Sequence, residues 1–173
     1  MTVTPVPKPG VQERILLHLR DYVDHAEKVE VPFALSQMGI ANAVSIARSN
    51  VPRAISGLRD QGYLVEKQAH VTGVSRKRKA YFLTDEGAKL ADDIWSKVGK
   101  QNVRVIGKDG RASNMELAEA LENTDLPLRH VDVIRYLDDS GTIDLSVLSA
   151  DLIERDLSKH IEKQLVTSLS DLP

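Results

Sequence analysis

Ile40-Ala-Asn-Ala-Val-Ser-Ile-Ala-Arg-Ser-Asn-Val-Pro-Arg-Ala-Ile-Ser-Gly-Leu-Arg-Asp-Gln-Gly-Tyr-Leu-Val65 is the stretch whose reading decides the fold. Pro52 lacks an N–H and would clash with the carbonyl four residues back inside a helix, so it belongs to a first helical turn. With Ser49 as N-cap, Pro52 falls at N3, where no intrahelical donor is needed. Val51, Ile55 and Leu58 then recur at i, i+4 and i+7 and face a core, leaving Arg48, Asn50, Arg53, Ser56 and Gly57 outward. Gln61-Gly62 ends this helix with a C-terminal glycine. Upstream, Ser36 offers the N-cap of a helix carrying Met38, Ile40, Ala41 and Val44, with Ala41 small enough for close helix packing. Ser45-Ile-Ala47 is the turn between the two.

Working outward, Val11, Ile15, Leu19 and Tyr22/Val23 recur at helical spacing and predict a first helix from Val11 to about Ala26. Val29-Glu-Val31 reads as a short extended connector, an edge strand at best because Pro32 supplies no ladder donor. Downstream, Tyr63–Val65 and Ala80–Leu83 are strand-like, with Glu66–Lys79 between them and Gly73 near the tip. Thr84 caps a fourth helix, Asp85 to about Val98, with Leu90, Ala91, Ile94, Trp95 and Val98 as its apolar positions. Helix, connector, helix, tight turn, helix, charged hairpin, helix is the order of a winged helix-turn-helix. The expected fold class is mainly α with a small β-hairpin wing, followed by a smaller α+β C-terminal region.

The 173 residues include no cysteine, which excludes disulfides and thiolate metal sites. The proline-rich start has no apolar core and is not a signal peptide, and no stretch is long and apolar enough to cross a bilayer. A cytoplasmic location is expected. The net charge of −2 hides an asymmetry: Arg48 to Tyr81 holds eight basic residues against two acidic ones. That window carries +6 and leaves −8 for the remainder, the electrostatic footprint of a polyanion-binding face. Double-stranded DNA is the expected partner. Arg matches guanine O6/N7 and Asn matches adenine N6/N7 in the major groove, which makes Arg48, Asn50 and Arg53 candidate base or phosphate contacts. Ser56 extends the same polar face. Arg76, Lys77, Arg78 and Lys79 are four successive cations on the wing, suited to backbone phosphates. An aromatic content of 4% argues against single-strand recognition by base stacking, and Tyr81 and Trp95 are expected in the core.

Ile40–Val65 followed by Val71-Thr-Gly-Val-Ser-Arg-Lys-Arg-Lys-Ala-Tyr-Phe-Leu-Thr-Asp-Glu-Gly87 resembles the MarR-type winged-helix domains found widely in archaeal proteins. The resemblance covers about half of the chain. It implies that Ser49, Asn50 and Arg53 occupy recognition-helix positions and that Arg76–Lys79 form the wing of a transcriptional regulator. MarR-type repressors dimerise through helices flanking the core, yet the first helix here is short for that. The resemblance also extends to archaeal proteins in which such a winged helix precedes an NTPase and tetratricopeptide repeats. An alternative function is therefore a regulatory or protein-interaction module at the N-terminus of a larger signalling NTPase, with Asp171-Leu-Pro173 as a cut end. No phosphate-binding loop is present, since Gly107-Lys-Asp-Gly110 lacks the Gly-Lys-Ser/Thr signature.

The chain divides into a disordered N-terminus (1–10), the winged helix (11–99) and a region of hairpin and helices (100–173) for dimerisation, sensing or linkage. In the last, Val103–Ile106 and Arg111–Ser113 form a small hairpin, Asn114 caps a helix Met115–Glu122, and a helix runs over about Leu128–Leu137. Thr142–Leu145 is extended. Ile153, Leu157, Ile161, Leu165 and Leu169 recur every four residues in a helical tail, which either pairs with a second copy or packs on its own domain. A homodimer is one expected state. His18, Asp21 and His25 share a side of the first helix, but without a third strong ligand they read as a solvated flank, not a metal site. His70, at the base of the wing, reads equally as a phosphate contact or a strand residue. No carboxylate pair, nucleophile–base set or metal cluster appears, so neither an enzyme nor a cofactor is expected.

Overall fold

Helix α1 (Val11–Arg20) buries Ile15, Leu16, Leu17, His18 and Leu19 in succession, so both its flanks are covered. It ends six residues before the predicted Ala26: Asp21–Tyr22 turn out of the helix, and a single 3-10 turn, Val23–His25, follows. The computed structural model describes residues 9–26, 28–124, 128–138 and 140–150. The expected tail helix lies outside the described residues, as do 1–8 of the predicted disordered start; Pro9 is buried and Gly10 is the N-cap of α1.

Strand β1 (Glu30–Val31) leads through the 3-10 turn Phe33–Leu35 into α2 (Gln37–Val44). Ser36 caps α2 as its sequence position predicts, its Oγ accepting from Gly39 N–H at 3.1 Å. Ser45 closes the helix in the left-handed region (φ 58°), so the chain reverses sharply. A 3-10 turn over Arg48–Asn50 then precedes α3 (Val51–Asp60). Asn50, not Ser49, is the N-cap, and Pro52 stands at N2, one place earlier than predicted. The physical requirement is unchanged, because N2 also needs no intrahelical donor. Val51, Ile55 and Leu58 are buried, as their spacing predicts. Gly62 (φ 82°) turns the chain out of α3.

Strands β2 (Leu64–Val71) and β3 (Arg78–Leu83) pair antiparallel, Leu64 opposite Leu83 and Ala69 opposite Arg78. The hairpin is longer than predicted: Glu66–Val71 and Arg78–Lys79 are strand, because six cross-strand pairs carry the ladder past the apolar segment. Its loop is Thr72–Lys77, with Gly73 at φ 81°. β1 joins as a parallel edge strand, Val31 beside Val71. Helix α4 (Asp85–Gly99) is capped by Thr84, whose Oγ accepts from Gly87 N–H at 3.0 Å. The first core gathers α1, α2, α3 and the sheet around Tyr81, Ile40 and Leu58.

Beyond α4, β4 (Asn102–Ile106) pairs antiparallel with β5 (Ala112–Glu116) and parallel with β6 (Thr142–Asp144). Asn114 is not a helix cap: it lies in β5 opposite Arg104, and the helix α5 (Leu117–Glu122) starts two residues later than predicted. Pairing of Met115 with Val103 and Glu116 with Asn102 outweighs the local capping preference. Helix α6 (His130–Tyr136) packs against α1. A second core forms from Val103, Val105, Leu117, Ile134 and Ile143, and it takes in Leu17 of α1 and Val98 of α4. Val131 of α6 in turn enters the first core. Each region thus contributes to the other's core. No helix among the described residues is long and apolar enough to cross a membrane.

Candidate nucleic-acid interface

Two side chains of α1 fix the helix-turn-helix in place. Arg14 Nη1 donates to Val44 O at 2.7 Å, at the carbonyl end of α2, and Gln12 Nε2 reaches Ala54 O of α3 at 3.4 Å. The Gln12 side chain also covers Gly57, where a Cβ would come within 2.6 Å of Nε2. Gly57 therefore faces α1 and not outward, a correction to the predicted polar face. Arg53 and Ser56 share one side of α3, Arg53 exposed and Ser56 half-buried. Arg48, Ser49 and Asn50 are exposed in the preceding 3-10 turn, not on α3 itself.

The wing is braced from within. Gln37 Nε2 donates to Tyr81 Oη at 3.0 Å, and Tyr81 Oη donates to Glu66 Oε1 at 2.9 Å. Burial pushes the Tyr81 hydroxyl above its ordinary value, and the Glu66 carboxylate beside it acts in the same sense. Arg59 is 3.6 Å from the same carboxylate, and Lys67 sits over the Phe82 ring. Two of the eight basic residues in the window, Arg59 and Lys67, are thus spent on structure. The other six, Arg48, Arg53, Arg76, Lys77, Arg78 and Lys79, are exposed, and none of them forms an ion pair among the described residues.

A groove of about 720 Å³ runs between the start of α2 and the wing. Arg48, Lys77, Arg78 and Lys79 line it together, so two segments about thirty residues apart converge on one cationic surface. Ser49, Asn50, Arg53, Ser56 and Arg76 do not line this groove. Phe33, Gln37, Met38, Gln68 and Val74 do, and none of them was expected. Gln68 stands opposite Lys79 in the ladder, so a correct strand length would have pointed to it. Phe33 and Met38 are apolar yet exposed, for which sequence periodicity offers no signal. His70 is an exposed β2 residue beside Glu30.

The flank of α1 expected to be solvated is the opposite at His18, which is fully buried. Its Nε2 donates to Ala34 O at 2.8 Å and its Nδ1 accepts from Arg129 Nη1 at 3.2 Å. Burial, with the Arg129 cation acting in the same sense, lowers its pKa to about 4. Asp21 is taken up by His130 Nδ1 at 3.1 Å. Among the described residues no group of three or more His, Asp or Glu side chains could hold a metal ion.

Fold and surface together define a winged helix-turn-helix with a cationic groove. No family model matches the chain, and no curated protein matches it. Among solved structures it is similar to a zinc-responsive MarR family member, ZitR of Lactococcus lactis, at 21% identity over 56% of this chain and 57% of that one, TM-score 0.39. It is similar to MepR, a transcription regulator of the Staphylococcus aureus multidrug efflux pump MepA, at 22% identity over 51% and 56%, TM-score 0.38. A DNA-binding protein of Ralstonia eutropha, described as putative, matches at 26% identity over 49% of this chain and 94% of that one, TM-score 0.36. The chain spans little more than half the length of the first of these regulators. The fold is defined by the order of its elements and the register of its strands.

Proposed function

We propose that this chain binds double-stranded DNA as a transcriptional regulator, without catalysis, and that α3 enters the major groove while the wing grips the backbone. The observation that carries the reading is the convergence of Arg48, Lys77, Arg78 and Lys79 on one groove with no anionic partner among the described residues. Four like charges held this close repel one another unless a polyanion covers them. Arg53, Ser56, Ser49 and Asn50 on the adjoining face of α3 and its lead-in turn supply base-edge contacts, and Arg76 a further phosphate contact. Residues 100–173 either pair two copies, so that a homodimer reads two half-sites, or receive a signal.

A mobility-shift titration against mixed duplexes at two salt concentrations tests this. Binding should weaken steeply with salt. Replacing Arg76, Lys77, Arg78 and Lys79 by Gln should weaken all duplexes alike, by roughly a hundredfold or more, and flatten the log–log salt slope by about 3 to 4. No retardation at low salt would remove the reading. A protein-interaction module at the front of a larger signalling NTPase is the second reading, and the exposed Phe33 and Met38 lining the groove favour it. In that case Phe33→Ser abolishes capture of a partner and leaves duplex affinity unchanged.

A further inference from the structure

Three elements meet at the elbow between α1 and α2. Ser36 caps α2 through Gly39 N–H, and it also forms an isolated antiparallel bridge with Ala80, the residue that follows Lys79 on the wing strand. Phe33 O lies so close to Gly39 that a Cβ there would come within 2.1 Å, which makes the 3-10 turn and the first turn of α2 one rigid piece. The third element is α1, through the bond from His18 Nε2 to Ala34 O.

On its other ring nitrogen His18 meets the region beyond α4. Arg129, which immediately precedes α6, donates through Nη1 to His18 Nδ1 and to Tyr22 Oη (2.8 Å), and through Nε to Asp132 Oδ2 (3.3 Å). Burial opposes the charge on Arg129, but Asp132 and Tyr22 raise its pKa above the ordinary value, so it remains a cation. A guanidinium only donates and a carbonyl only accepts. The imidazole between them must therefore be neutral, with its hydrogen on Nε2. A proton on Nδ1 would set two donors and two cations face to face. The charged or titratable groups facing His18 are Arg129 and Asp132 from the α6 side, and Asp21 and Tyr22 from its own end of α1.

We infer that Arg129 and His18 are positioning residues for the cationic groove: through the neutral imidazole, docking of α6 sets the elbow that holds both the start of α2 and the root of the wing. The functional consequence rests on the duplex-binding reading, but the mechanical link does not. A link of this kind needs an element with two arrangements that both ends bias, and the imidazole, bridged or released, is that element.

The test uses the full chain and its Arg129→Met and Arg129→Lys variants. With Arg129→Met, amide exchange at Ser36, Gly39 and Ile40 should accelerate at least tenfold, and duplex affinity should fall several-fold with an unchanged salt slope. Arg129→Lys, which keeps a donor for Nδ1, should restore most of both. Nitrogen NMR of the wild-type ring should show the Nε2–H tautomer at neutral pH, and Arg129→Met should admit the other. Accelerated exchange in α6 alone, with the elbow unaffected, overturns the inference. A salt slope reduced by about one also overturns it, since Arg129 would then be a phosphate contact. If no duplex binds the wild type, elbow exchange still decides the link, so the two failures are distinguishable. Should Arg129→Met not fold, the wild type is acidified: elbow protection must be lost with the same midpoint as the His18 ring titration, and a different midpoint overturns the inference.

Discussion

The seam between α1 and α6 and the groove between α2 and the wing are both rich in cations, and they treat them in opposite ways. In the seam Arg129 is held by His18, Tyr22 and Asp132, while Arg20 reaches Asp92 and His130. In the groove Arg48, Lys77, Arg78 and Lys79 have no ionic partner among the described residues. Polar groups taken out of water must be satisfied by the protein itself, whereas exposed ones can wait for a ligand. A net charge or a count of arginines cannot separate the two cases. The state of pairing can: it marks the seam as architecture and supports the proposed role of the groove as an interface.

The largest expected effect strikes the seam. The folded pKa of His18, about 4, lies below the ordinary histidine value of 6.5, so the unfolded chain binds the extra proton first. Its contribution to stability is complete above about pH 6.5 and drains away as the pH falls to 4, by an amount on the order of 3 kcal/mol. Urea unfolding at pH 7 and pH 4 checks this, and His18→Gln should flatten the difference. Next comes the face of α3. Arg53→Ala should leave unfolding unchanged while reducing duplex affinity by about 1–3 kcal/mol and relaxing sequence preference, as selection from a randomised duplex pool would reveal. A loss of stability instead would break the comparison by placing Arg53 among the structural cations. The smallest effect sharpens it. Arg59 is paired with Glu66 yet nearly half exposed, and Arg59→Gln should cost no more than about 1 kcal/mol, measured by thermal unfolding.

Short-range chemistry makes the winged helix legible in the sequence alone. Pro52, Ser36, Thr84 and Gly62 each act within four residues of themselves, and each sits at or within one position of its predicted role. What escaped depends on partners remote in sequence. Asn114 prefers a helix cap locally, but Arg104 across the hairpin makes it a strand residue. His18 looked solvated because nothing near it predicts that Arg129 will close over it. The groove was visible only as two separate sets of cations, since the convergence of Arg48 with Lys77–Lys79 is a tertiary fact. Of its exposed apolar residues, Met38 reads in the sequence as one more apolar position of α2, and Phe33 carries no signal.

Leu17 belongs to the second core although the helix that bears it opens the first. A ribosome delivers that helix early and α6, which packs on it, more than a hundred residues later. At about 5–20 residues per second, one flank of α1 stays bare for roughly 6–25 seconds of synthesis. The nascent winged helix is thus a client for any apolar surface it meets in that interval, and its first helix is among the last to be sealed.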